Sequence, residues 1–125
     1  LVARQLATTC LVAIPRVEGK EIYPYQLTNL QTEINQHKWG MREPNPTICS
    51  PIDPESLDLV LVPGCGFDSR RYRIGYGGGF YDRFLQTCPQ ALTVGLAFEN
   101  QIVDQLPTQP WDHPVDLVLT EQRII

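Results

Sequence analysis

The residues best suited to chemistry lie together in Arg73-Ile74-Gly75-Tyr76-Gly77-Gly78-Gly79-Phe80-Tyr81-Asp82. Gly75, Gly77, Gly78 and Gly79 permit positive φ and let backbone N–H groups come close to a ligand. The residues that follow predict a helix from Gly79 to Cys88, whose first turn presents unpaired donors and a partial positive charge. Phosphate oxygens match such a surface. Arg73 can donate two parallel hydrogen bonds to a phosphate, and Asp82 offers a hard oxygen to magnesium beside the same oxygens. The spacing is neither the Walker nor the Rossmann glycine pattern, so the glycines alone are compatible with an ordinary flexible turn. The flanking cation and carboxylate make the combination more specific. A plainer role for Asp82 also stands, as a carboxylate favouring the positive end of its own helix by about 0.3–1 kcal/mol.

Tyr76, Phe80 and Tyr81 add aromatic surface on which a planar ring can stack. The competing reading pairs Phe80 with Phe84, four residues on, along one helix face. Arg70, Arg71, Arg73 and Arg83 supply four of the ten basic side chains in a chain of formal net charge −4. This acidic balance argues against general nucleic-acid or anionic-membrane binding, so an anionic ligand must be met by a local cluster such as this one. A solvated basic loop is the alternative.

The elements that must position these residues read as strand, helix, strand, helix, strand. Cys10 to Ile14, Asp58 to Pro63, Leu92 to Phe98 and Val115 to Thr120 are unbroken apolar runs of strand length, which predict burial on both faces in a mainly parallel sheet. Helices are expected at Leu1 to Leu6, Leu27 to Gln36 and Gly79 to Cys88, with a short one from Asn100 to Gln105. Glu21 to Gln26 is expected as an edge strand. Four prolines between Glu43 and Pro54 predict a long connecting loop. The fold class is therefore α/β, an open three-layer sheet with helices on both faces, in which ligands gather at the carboxyl ends of strands.

At 125 residues, with 42% hydrophobic and 19% charged residues, the chain is expected to form one globular domain over residues 1–125. Cys10, Cys49, Cys65 and Cys88 lack Cys-x-x-Cys spacing, which suits a reducing cytoplasm; Cys10 and Cys65, in or beside apolar runs, read as buried thiols. No apolar run reaches the roughly 18 to 20 residues of a membrane span. His37 and His113 read as surface and loop histidines. The chain opens on Leu1 inside a helix-like segment, so a further amino-terminal portion is expected. Oligomeric state is not legible.

Pro63-Gly64-Cys65-Gly66-Phe67-Asp68 followed by Arg73 through Leu85 resembles the most specific motif of the 5-formyltetrahydrofolate cyclo-ligase family, the methenyltetrahydrofolate synthetases. Ile14-Pro15-Arg16, Glu43-Pro44, Gly95 to Gln101, Leu106-Pro107, Trp111 to Asp116 and Thr120-Glu121 resemble further family segments in the same order. The resemblance implies a Rossmann-like cyclo-ligase fold and an ATP- and magnesium-dependent closure of 5-formyltetrahydrofolate to 5,10-methenyltetrahydrofolate. It implies that Arg73 to Tyr81 line ATP, that Tyr76 to Phe80 also approach the folate, that Arg73 and Tyr81 serve catalysis, and that Asp82 and Asp112 hold Mg2+. By its residues alone Asp112, before His113-Pro114, reads as a turn-former rather than a metal ligand. Arg16 is a weaker ligand contact. Two departures stand out: Arg71 replaces the glycine usual in the turn before Arg73, and the family's basic amino-terminal helix and folate-contacting acid are expected upstream of Leu1. The alternative expectation is a truncated or inactive homologue that binds nucleotide or folate without turnover.

Overall fold

The computed structural model describes residues 10–29, 33–36 and 42–125. Its internal contacts divide the chain into two compact units, residues 1–56 and 57–125.

The first unit is built on a hairpin of β1 (Val12–Glu18) and β2 (Glu21–Leu27). Its two-residue turn puts Gly19 at φ 64°, matching the hairpin class that needs glycine at the first central position. Pro15 lies opposite Pro24. Neither proline can donate, so these residues occupy a pair that exchanges no ladder bonds, and the residues two positions away do likewise. The outward amides of Val17 and Gln26 follow that alternation: Val17 N–H donates to Glu43 Oε1 and Gln26 N–H to the Ser50 carbonyl. β3 (Ile34–Gln36) pairs antiparallel with β4 (Arg42–Pro44). Ile22, Leu27, Pro44 and Cys49 are buried in this unit.

Several expectations change here. The strand after Cys10 forms, but as half of an antiparallel hairpin rather than a parallel strand, because a tight turn returns the chain at once. The helix expected from Leu27 to Gln36 begins on the last residue of β2 and ends in β3, with residues 30–32 outside those described. The helix expected at Leu1 to Leu6 also lies outside the described residues. The Pro-rich tract is a connection tied along the outer edge of β2, with a bridge from Tyr25 to Pro51 and an Ile52 N–H bond to the Pro24 carbonyl.

The second unit holds a parallel sheet in the order β10-β8-β5, formed by β5 (Leu59–Val62), β8 (Leu92–Leu96) and β10 (Leu117–Leu119). A second small sheet, β7-β6-β9, joins β6 (Gly66–Asp68) antiparallel to β7 (Arg73–Ile74) and parallel to β9 (Ile102–Val103). One α-helix, α1 (Phe80–Leu85), is present among the described residues. It is shorter than expected because i+3 bonds to Gln86, Thr87 and Cys88 tighten the chain before Pro89. The short helix expected from Asn100 to Gln105 is instead a 3₁₀ turn, Glu99–Gln101, leading into β9.

The core of this unit gathers Val60, Val62, Phe67, Phe84, Val94, Val115 and Val118. Phe67 is fully buried against two glycines; a Cβ on Gly64 would come within 2.8 Å of its ring and one on Gly95 within 2.5 Å. β5 alternates exposed Leu59 and Leu61 with buried Val60 and Val62, where burial on both faces was expected. An apolar run marks a strand without revealing how many of its faces are covered. No described helix is long and apolar enough to cross a membrane.

Candidate functional site

The glycine loop connects β7 to α1. Gly77 and Gly79 lie at φ 86° and 64°, conformations that a side chain makes strained. Gly79 occupies the N-cap position without a capping side chain. Among the described residues, the amide N–H groups of Tyr76, Gly77, Gly78 and Gly79 meet no acceptor. With α1 only six residues long, the open donors belong to the loop rather than to a long helix terminus.

Arg73 is nearly buried, its side chain 7% exposed, and donates from Nη2 to Asp82 Oδ1 at 2.7 Å. Its guanidinium carbon also lies 5.7 Å from the Tyr81 ring centre. The Arg73 Nε is buried and has no acceptor among the described residues, a costly condition for a donor unless a ligand oxygen relieves it. Burial raises the pKa of Tyr81, opposed by the charge of Arg73, so the phenol stays protonated at neutral pH. Tyr76 stands 96% exposed at the loop's tip, free to stack on a planar ring. Phe80 packs within 5.4 Å of the Arg83 guanidinium, and Arg83 Nη2 donates to the Gly78 carbonyl. Of the competing Phe80–Phe84 pairing, Phe84 does pack inward, but its ring partner is Tyr81, met edge-on.

The four arginines do not form one anion patch. Arg70 is bound to Asp68 and the Leu106 carbonyl, Arg73 to Asp82, and Arg83 to the loop itself. Arg71 lies within electrostatic reach of Asp116. It also adopts φ 69°, the only non-glycine at positive φ among the described residues, so this position has the backbone that a glycine would favour.

A cleft opens at the carboxyl ends of β5 and β8, lined by Leu61, Val62, Pro63, Gly64, Tyr81 and Leu96. Tyr81 thus faces the cleft while its ring lies beside Arg73. Gln101 braces the cleft's rim: its Oε1 accepts from Phe98 N–H and its Nε2 donates to the Cys65 carbonyl.

Asp112 is half-buried in a loop turn, accepting the Gln109 N–H at 2.7 Å while its own N–H bonds the Gln109 carbonyl. This is the turn-forming geometry. Among the described residues no group of three or more His, Cys, Asp or Glu side chains is gathered to hold a metal. Magnesium commonly takes one or two protein carboxylates and completes its shell with phosphate and water. The carboxylate oxygens of Asp82 and Asp112 have the hard-donor chemistry that magnesium takes, each held by its own partner, Arg73 and Gln109.

His113 is exposed, and His37 lies outside the described residues. Arg16, in the first unit, is occupied by Glu18, Glu43 and the Pro44 carbonyl. All four cysteines are free thiols, but the buried ones are Cys49 and Cys88; Cys10 and Cys65, expected inside, are exposed.

Sequence reasoning passed over Asp68. Its carboxylate is fully buried and accepts from Arg70 N, Tyr72 N, Arg70 Nε, Arg70 Nη2 and Leu106 N at 2.8–3.0 Å. Burial alone would raise its pKa, but these bonds, from Leu106, Arg70 and Tyr72, outweigh it and leave the pKa lowered. An Asp opening a short polar turn was the available signal.

A family model described as the 5-formyltetrahydrofolate cyclo-ligase family matches residues 1–121. The chain belongs to that family. It is 32% identical over 120 residues to a 5-formyltetrahydrofolate cyclo-ligase of Escherichia coli K12, an alignment covering 85% of this chain and 66% of the relative. It is 44% identical to the mouse protein of that name over 70 residues, covering 52% of this chain and 34% of the relative. Its fold matches the Aquifex aeolicus 5,10-methenyltetrahydrofolate synthetase with a TM-score of 0.84 at 33% identity, covering 98% of this chain and 61% of the other. A Mycoplasma pneumoniae 5,10-methenyltetrahydrofolate synthetase matches with a TM-score of 0.69 at 26% identity, covering 92% and 59%. The chain thus spans just under two thirds of the length of the Escherichia coli relative.

Proposed function

We propose that this protein converts 5-formyltetrahydrofolate to 5,10-methenyltetrahydrofolate with ATP and Mg2+, releasing ADP and phosphate. The observation that carries this reading is the glycine loop with open amides, bounded by the buried Arg73 at one end and Asp82 at the other. Family membership supplies the substrate class.

The formyl oxygen attacks the terminal phosphorus of ATP and ADP leaves. N10 then adds to the activated carbon and loses its proton, and phosphate departs with the former formyl oxygen. Arg73 and the amides of residues 76–79 bind and orient the phosphates, and charge stabilisation and positioning carry catalysis without a protein nucleophile. Tyr81, protonated and beside Arg73, acts as a hydrogen-bond donor and a wall of the cleft. Tyr76 to Phe80 also face the folate. Asp82 and Asp112 would hold magnesium, which supplies charge neutralisation between phosphate oxygens. Free thiols support a cytoplasmic setting. We extend the reading to one cyclo-ligase domain with a three-layer sheet in the whole protein.

The test is absorbance of the methenyl product when the protein meets ATP, magnesium and 5-formyltetrahydrofolate. Product must accumulate and must require all three. A preparation that binds nucleotide yet leaves absorbance unchanged supports the second reading, a homologue that binds nucleotide or folate without turnover. Calorimetric titration with ATP, with and without magnesium, separates the two.

A further inference from the structure

The turn between β6 and β7 grips the loop that carries Asp112 at both ends. On one side, Leu106 N–H donates to Asp68 Oδ2 at 3.0 Å, Arg70 Nη2 donates to the Leu106 carbonyl at 2.7 Å, and Ser69 Oγ donates to the Asp104 carbonyl at 3.2 Å. On the other, Val115 N–H donates to the Arg71 carbonyl at 3.0 Å. Between these anchors Asp112 folds on Gln109. The same turn continues directly into Arg73, which bonds Asp82. One short segment therefore joins the phosphate-facing arginine to the loop of the second carboxylate.

Asp68 organises that segment from within. Its Oδ1 accepts the amides of Arg70 and Tyr72 and so folds the turn; its Oδ2 accepts Leu106 N–H and the Arg70 guanidinium and so attaches the loop. Every bond requires an acceptor, a demand that a carboxylate meets on both oxygens and an amide meets on one. Groups outside the ligand shell act by orienting the residues within it.

We propose that Asp68 is a positioning residue that sets the Asp112 loop against the Arg73–Asp82 pair, so that magnesium and phosphate are held in one geometry. The inference rests on the nucleotide and magnesium reading above. Asp68→Asn retains the volume but turns an N–H toward donors on one side of the group.

The experiment is calorimetric titration of this chain with ATP, with and without magnesium, for wild type, Asp68→Asn and Arg70→Ala. Arg70→Ala removes the bond to the Leu106 carbonyl from a partly exposed position and serves if Asp68→Asn does not fold. In Asp68→Asn the magnesium-free affinity for ATP stays within about twofold of wild type, while the gain on adding magnesium falls roughly 10- to 100-fold, as loss of a group supporting a metal ligand does. Arg70→Ala shifts in the same direction by less. Amide exchange quickens at Leu106 in both, with β8 unchanged. Folded variants that keep the full magnesium gain overturn the positioning role while leaving the nucleotide reading intact. A wild-type chain that binds no ATP in either condition sinks that reading and this inference with it.

Discussion

The Arg73 guanidinium donates from Nη2 to Oδ1 of Asp82 at 2.7 Å, so the cation before the glycine loop and the carboxylate after it neutralise each other. A magnesium nucleotide can exchange this single contact for two, with phosphate on the guanidinium and metal on the carboxylate. On the proposed function the pair would hold the place of both ligands, and its partners would have separable roles.

Arg73→Lys keeps the charge but loses the fork that meets two oxygens at once. Charge-assisted hydrogen bonds contribute about 1.5–3 kcal/mol each, so ATP affinity should fall roughly 10- to 100-fold. Asp82→Asn should bind magnesium-free ATP as well as wild type and lose most of the magnesium-dependent gain. Calorimetry under both conditions checks the two, and equal losses in both variants would contradict the division of roles.

How much of this was legible depended on how local each cause was. The runs at Leu59–Val62, Leu92–Leu96 and Leu117–Leu119 read correctly as parallel strands because β-branched and apolar residues fit a pleated core. The backbone of the glycine loop was legible because its positive-φ glycines and the flanking Arg73 and Asp82 lie within ten consecutive residues. The helix expected from Leu27 to Gln36 failed because β3 takes its structure from pairing with Arg42–Pro44, a tertiary cause that overrides local preference. The turn-forming half of Asp68 had a local signal, but its hold on Leu106 had none, because that partner lies 38 residues away. The arginine cluster was over-read: neighbours in sequence found separate partners in space.

Arg71 has the backbone of a glycine and the side chain of an arginine. A left-handed conformation costs an ordinary residue about 1–2 kcal/mol, while glycine gives back about 0.4–1 kcal/mol through the freedom of the unfolded chain. Arg71→Gly should therefore be stabilising by roughly 0.5–1 kcal/mol, with its carbonyl bond to Val115 retained. Arg71→Val should be destabilising, since a branched side chain tolerates positive φ least. Thermal melts of the three proteins check the order, and a glycine variant that melts below wild type would refute it.

Acid should weaken the second unit through its bonded carboxylates. Hydrogen bonds from Thr93 lower the pKa of Asp116, those from Thr120 and Arg123 lower that of Glu99, and Asp68 is lowered despite its burial. A depressed folded-state pKa means that the unfolded chain binds protons first. The stabilisation is complete above the ordinary carboxylate range near pH 4 and disappears as pH falls through the folded-state values below it. Melting temperature should therefore fall steeply below about pH 4 in wild type. The fall should be shallower in Asp116→Asn, whose melting temperature should already be lower at neutral pH. An unchanged acid slope in that variant would count against the Thr93–Asp116 linkage.

Gly95 and Gly77 separate two reasons for glycine. A Cβ at Gly95 would lie 2.5 Å from Cε1 of Phe67, whose ring is fully buried and has nowhere to move. Gly95→Ala should cost about 1–3 kcal/mol as overpacking, and Phe67→Leu in the same chain should recover part of the loss by removing the ring edge. Gly77 faces open space but sits at φ 86°, so Gly77→Ala should cost about 1 kcal/mol through backbone strain alone and gain nothing from Phe67→Leu. The loop's open amides depend on that same backbone, so Gly77→Ala should weaken ATP binding more than Gly95→Ala does, despite its smaller effect on stability. Denaturant melts and calorimetry on the four variants test this crossing of effects. If binding loss simply tracks stability loss, the glycine loop is not the phosphate cradle.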